Sequence, residues 1–307
     1  MRARILLLPG SQQGEALCAC AEQILTDISA AFDHVFSLLR GKIGPEVSDK
    51  TLDACETSQA ILLGDAQCEG AQALYDALDL PLRIRSFCVP EALCSRHETP
   101  VKLFLGTALS LDADTLRLAM QSAFRFAQDE DIRILHVAPT GATKAEWEAA
   151  VRVQTAAQPL VTADAVAAKD AMKNLIKAPQ KMGLLLCPPY AGGILEAAAT
   201  GLCAHPEIMY DFAIDQDTGV YAPFASFLEE AEDAPAPFAM ALAIARMLRI
   251  SLKLPREAAC LEAAIQNVLA NHWLPKKQAE NSPSMLDLIC EQIAVAGELM
   301  GKGGIQA

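Results

Sequence analysis

Two textures alternate along most of this chain: apolar runs of strand length, and amphipathic stretches of helix length between them. That alternation is the pattern of an α/β protein built on a largely parallel sheet, and it excludes all-helical and all-β architectures for residues 1–214. The apolar runs predict strands at 4–9, 34–39, 59–64, 101–106, 132–137, 182–187 and 208–214. The stretches between them predict helices at 14–30, 48–55, 70–78, 113–128, 144–153, 165–177 and 191–202. From Pro237 onward the texture changes to helices alone, at 238–252, 256–270 and 284–300, broken at Pro255 and between Pro275 and Pro283. The acidic, proline-containing segment 229–237 reads as a surface loop or linker, and 301–307 as a frayed tail.

Charge then narrows the function. The 307 residues carry 25 Lys plus Arg against 38 Asp plus Glu, a formal net charge of −13, and no basic cluster exceeds Lys276-Lys277. A polyanionic partner is repelled by that field, so nucleic acid is not expected. The apolar run at Leu8 ends at Pro9, too short for the apolar region of an export signal. The weakly charged stretch 184–204 contains Glu196 and is broken by Pro188-Pro189, so no membrane span is expected and the chain reads as cytoplasmic. The ten cysteines are scattered, with no C-x-x-C, and read as reduced, mostly buried thiols. Among the five histidines, Cys94 with His97 alone shows a ligand-like spacing, and no second pair completes a metal site.

Common catalytic signatures are missing: no G-x-G-x-x-G, no Walker A loop, no G-x-S-x-G and no H-E-x-x-H. Two strand-to-helix junctions remain. Pro139-Thr140-Gly141-Ala142-Thr143-Lys144 lacks the first glycine of a phosphate loop and reads as a turn with Thr143 as helix cap. Cys187-Pro188-Pro189-Tyr190-Ala191-Gly192-Gly193-Ile194-Leu195-Glu196 carries a strand into a helix at the strand end where open α/β sheets bind ligands. Cys187 there is a candidate reactive thiol or a buried inert one, the second being preferred. The helix that follows is apolar on nearly every face apart from Glu196 and Thr200, which predicts cover on both sides, the second cover being another subunit beside helix 165–177.

The order of these segments resembles the isocitrate/isopropylmalate dehydrogenase family, the metal-dependent β-decarboxylating dehydrogenases, from Ile5 to about Leu274. Ile5-Leu6-Leu7-Leu8-Pro9-Gly10 is similar to that family's first strand and L-P-G-D-G-I-G-P-E turn. Thr51-Leu52-Asp53-Ala54-Cys55 leading to Ala60-Ile61-Leu62-Leu63-Gly64 resembles E-T-L-E-A-C followed by D-A-V-L-L-G. Ala123-Phe124-Arg125-Phe126-Ala127 and Trp147 fit the A-F-x-x-A helix and a later tryptophan, and Leu175-Ile176-Lys177-Ala178-Pro179 resembles L-V-R-N-P. Gly219-Val220-Tyr221-Ala222-Pro223 resembles G-L-Y-E-P, and Met247-Leu248-Arg249-Ile250-Ser251-Leu252 resembles M-L-R-Y-S-L. The resemblance implies an isopropylmalate-dehydrogenase-like two-domain α/β fold with a largely parallel sheet. Residues 1–100 and 225–307 would form the large domain, and 101–224 the smaller inserted one, which forms a dimer.

The positions the resemblance assigns to chemistry depart from the family. Where it has G-D-I-L-S-D, this chain reads Gly192-Gly193-Ile194-Leu195-Glu196-Ala197, without either aspartate. The aspartate supplied across the dimer falls near Lys169, with Asp170 adjacent, and the proton-transfer lysine near Pro139. No tyrosine lies between Tyr75 and Tyr190, and the clamping arginines fall at Val89-Pro90 and around Gly106-Thr107. Ser11 replaces the first-turn aspartate, and 225–230 replaces the adenosine-gripping H-G-S-A-P-D loop. The chain is also shorter than usual members, mainly between Thr107 and Leu116. Divalent ions need hard oxygen ligands, and the metal stabilises charge in the transition state.

The reading is therefore a member that has lost catalysis, with no cofactor expected. It would be a binding, regulatory or structural subunit, homodimeric through helices 165–177 and 191–202 or paired with an active homologue. The alternative is a divergent enzyme using NAD or NADP with Mg or Mn to oxidatively decarboxylate a 2-hydroxy acid. A third reading places another ligand in the cleft, such as an anion at Gly193. Candidate cleft residues are Ser11, Lys169, Asp170, Cys187, Tyr190, Gly193 and Glu196, with Glu196 read as an acid complementing a helix N-terminus.

Overall fold

A computed structural model of the chain describes residues 1–94, 100–215, 218–224, 237–271 and 284–303. Two compact units divide it: 1–77 with 219–307, and 78–218. His97, the segment 225–230, Lys276-Lys277 and most of the expected loop 229–237 lie outside the described residues.

The first unit opens with β1 (Arg2–Leu8), α1 (Gln12–Phe32), β2 (Val35–Arg40), α2 (Asp49–Glu56), β3 (Ala60–Leu63) and α3 (Ala71–Ala77). Ile5 to Leu8 are fully buried, as their unbroken apolar run requires. Ser11 caps α1, its hydroxyl accepting the Gly14 N–H at 3.0 Å. Gly14 seats the helix on the strand ends: a Cβ there would stand 1.8 Å from the Pro9 carbonyl oxygen.

The second unit runs through β4 (Leu82–Ser86), β5 (Leu103–Ala108), α4 (Ala113–Asp129), β6 (Ile134–His136), α5 (Lys144–Ala157), β7 (Ala163–Ala165), α6 (Ala168–Lys177), β8 (Gly183–Cys187), α7 (Pro189–Leu202) and β9 (Tyr210–Ile214). Its strands lie in the order β9-β4-β5-β8-β6-β7. The pairs β5-β8, β8-β6 and β6-β7 are parallel, whereas β4 is antiparallel to both neighbours. The chain then returns to the first unit as β10 (Gly219–Pro223), α8 (Phe238–Ile250), α9 (Pro255–Asn271) and α10 (Met285–Gly303), and β10 pairs in parallel with β3 to complete the order β2-β1-β3-β10.

The strand and helix texture of the sequence is thus the fold, with four differences. Gly219–Pro223 forms β10, a strand that the apolar runs do not predict. β4 was not expected; it pairs with β5 and β9, so residues 78–100 group with the second unit rather than with the first hundred residues. The segment expected to begin a helix at Ala165 is a short strand up to Ala165, with α6 starting at Ala168. And α7 begins at Pro189 rather than Ala191, because proline at the first helical position gives up an N–H that has no partner there anyway.

Register fixes what lies on each face of β9, β4 and β5. Ile84 stands beside Phe212 and Gly106, and Phe104 and Phe212 both meet Phe126 of α4, with ring centroids 4.9 and 5.3 Å apart. Since side chains alternate, Arg83, Arg85, Leu105, Thr107 and Asp211 occupy the other face. That face is covered by α7.

Candidate functional site

The charged centre of the second unit follows from that alternation. Arg83 and Arg85, two apart on β4, project side by side, and Asp211 is the register partner of Arg85 on β9. Gly192 allows α7 to lie close on β5, since a Cβ there would be 2.5 Å from the Thr107 hydroxyl. One helical turn later, Glu196 meets the arginines. Arg83 Nη2 donates to Glu196 Oε2 at 2.6 Å, and Arg85 Nη1 contacts Glu196 Oε1. Arg85 also grips Asp211 in bidentate fashion, Nε to Oδ1 and Nη2 to Oδ2, both at 2.5 Å. Arg85, Glu196 and Asp211 are all buried. Two positive and two negative charges therefore close on one another, which is how a protein interior tolerates ions.

Glu196 is thus not an acid of the helix N-terminus. It is the eighth residue of α7, whereas the helix dipole acts mainly on the first turn, and what holds its charge is the arginine pair. Arg83, Arg85 and Asp211 were not singled out from the sequence. The available signal was the strict Leu82-Arg83-Ile84-Arg85 alternation, together with an aspartate inside the apolar run Tyr210 to Ile214.

The other expected site residues are dispersed. Cys187 is fully buried, and burial pushes its thiol far above the usual range, so the thiolate is disfavoured. None of the ten cysteines forms a disulfide. Lys169 and Asp170 are exposed in the first turn of α6. Tyr190 and Gly193 face outward on α7. Ser11 belongs to the first unit, where its hydroxyl donates to Asp65 at 3.5 Å. At the ends of β6 and β8, a cavity of about 510 Å³ is lined by residues including Pro139, Thr140, Met172, Tyr190 and Ile194, none of its lining being charged. Thr143 does occupy the cap position of α5, but its hydroxyl makes no capping bond.

The family resemblance implies a divalent metal, and these residues do not fit one. Both carboxylate oxygens of Glu196 are taken by arginines, Gly193 offers no side-chain ligand atom, and among the described residues no three His, Cys, Asp or Glu side chains gather to hold an ion.

The architecture is that of a two-unit α/β dehydrogenase fold. The crystal structure of isocitrate dehydrogenase from Methylococcus capsulatus superposes with a TM-score of 0.77 at 17% identity, covering 95% of this chain and 99% of that one. The crystal structure of the TT0538 protein from Thermus thermophilus also gives 0.77, at 14% identity, covering 95% of this chain and 68% of the other. No family model matches the sequence. Among curated relatives, 3-isopropylmalate dehydrogenase of Shouchella clausii is 24% identical over 345 positions, covering 92% of this chain and 94% of the relative. That of Halalkalibacterium halodurans is 21% identical over 362 positions, covering 97% and 100%. The chain thus resembles the isocitrate/isopropylmalate dehydrogenase family over nearly its whole length, in a shortened and divergent form: both alignments are longer than its 307 residues.

Proposed function

We propose that the chain is a non-catalytic member of this family, acting in the cytoplasm as a dimeric binding, regulatory or structural subunit, alone or with an active homologue. The observation that carries this reading is the state of Glu196. It is the sole charged residue of α7, the helix where the family places its metal aspartates, and two arginines neutralise it internally. A cation brought there would have to displace guanidinium groups from a buried carboxylate. The uncharged lining of the cavity at the ends of β6 and β8 supports the same conclusion. So does the outer side of α7, where Tyr190 is 83% exposed, Ile194 48% and Leu202 54%, an apolar surface suited to a second subunit. No helix among the described residues is long and apolar enough to cross a membrane.

The test is a thermal-shift and absorbance series with NAD, NADP, Mg²⁺, Mn²⁺, isocitrate and isopropylmalate. The expected result is neither a metal-dependent rise in the melting midpoint with a 2-hydroxy acid nor any reduction of the nicotinamide. Either response would overturn the reading and restore a divergent NAD(P)- and metal-dependent dehydrogenase.

A further inference from the structure

Two arginines two apart on one strand leave the same face of the sheet, where each guanidinium group can take one oxygen of a single carboxylate. Here the carboxylate comes from 113 residues away in the chain, on the helix laid across the sheet. Glu196 gives one oxygen to each arginine, the grip that a pair of arginines would apply to a free carboxylate. The Arg85 half of the grip does not depend on Glu196 for its shape, because Asp211 holds Arg85 through two bonds of its own, whereas Arg83 bonds to Glu196. Beside Arg83 in register, the Thr107 hydroxyl is buried and has no hydrogen-bond partner among the described residues, one more polar group facing the helix that covers it.

We propose that Arg83 and Arg85 form a binding site for a small carboxylate, preorganised at Arg85 by Asp211, and that the protein fills it with its own side chain, so that Glu196 acts as a tethered ligand. The ligand class is set by what Glu196 supplies: one carboxylate with no more than a methyl group behind it. While Glu196 is in place, free carboxylates are excluded. The inference shares Glu196 with the proposed function but not the loss of catalysis, and its test contains no divalent metal, nicotinamide or hydroxy acid. Turnover by the wild-type protein would overturn that function and leave this test unchanged.

Glu196→Ala removes the atoms of an acetate ion from beneath α7. The variant is melted in sodium acetate, sodium formate and sodium chloride at equal ionic strength. Acetate and formate are expected to raise its midpoint saturably, by about 3 °C over chloride. Wild type should not distinguish the three salts, and adding Arg83→Ala to the variant should abolish the effect. If Glu196→Ala reaches only the aggregate on expression, it is refolded in acetate and in chloride, and acetate should give the higher yield. A midpoint or yield that acetate improves no more than chloride does would overturn the proposal, as would an equal acetate response in wild type.

Discussion

Arg85 serves two acids at once, and that sets the cost of losing any member of the cluster. Asp211→Asn leaves a buried guanidinium facing a neutral amide, and breaking a buried pair from one side costs about 3 kcal/mol or more, because the remaining charge cannot reach water. Urea unfolding should show that loss. Replacing Arg85 and Asp211 together by leucine should cost less than the two single changes added, because neither charge is stranded by the other. A second residue-scale prediction concerns His136, which is buried on β6 and accepts at Nδ1 a hydrogen bond from Trp147 Nε1–H, 3.3 Å away. Burial lowers its pKa, with Glu148 and Asp164 pulling more weakly upward. A histidine whose folded pKa lies below its unfolded value of about 6.5 favours the folded state while neutral, so its contribution is complete above that pH and is lost as pH falls toward the folded value. Protonation also places a hydrogen on the lone pair that Trp147 uses. The urea midpoint, followed by tryptophan fluorescence, should fall between about pH 7 and pH 5 in wild type and fall less in His136→Phe.

At the scale of elements, close backbone approach determines how α1 meets the sheet. The Gly14 position leaves no room for a methyl group, since the obstructing atoms belong to the Pro9 and Gly64 backbones and cannot rotate away. Gly14→Ala should cost about 3 kcal/mol, the upper end for overpacking, read as a lowered urea midpoint with an unchanged slope. Elements of this kind were legible in the sequence wherever burial on both faces left an apolar run: β1, β3, β5 and β8 could be read directly from leucine-rich segments. β4 could not, because Arg83 and Arg85 look like the solvent side of an edge strand until the acids that neutralise them are known. Those acids stand on β9 and α7, more than a hundred residues away. β7 has three residues, two of them exposed, and carries almost no pattern. The same separation hid the site. Local sequence showed Glu196 as the lone acid of an apolar helix, and its partners depend on a register that only the folded sheet supplies.

For the whole molecule, the question is what balances its charge. Each chain carries a formal −13, so two copies repel one another, while the outward side of α7 offers Tyr190, Ile194 and Leu202 with no charge among them. If α6 and α7 form the proposed dimer interface, association is driven by apolar burial against a general electrostatic cost. Light scattering should then give twice the 32.8 kDa of one chain for wild type, and a single chain mass for Ile194→Asp. Because Ile194 is 48% exposed, that change should leave the melting midpoint of the separated subunit nearly unmoved. Salt separates this interface from an ionic one. Raising sodium chloride from about 0.05 M to about 1 M shortens the screening length from over 10 Å to about 3 Å, weakening the repulsion between acidic chains while leaving apolar contact intact. The dissociation constant from a dilution series should therefore fall as salt rises. A constant that increases with salt would mean that paired charges hold the copies together, and the uncharged side of α7 would then be excluded as the contact.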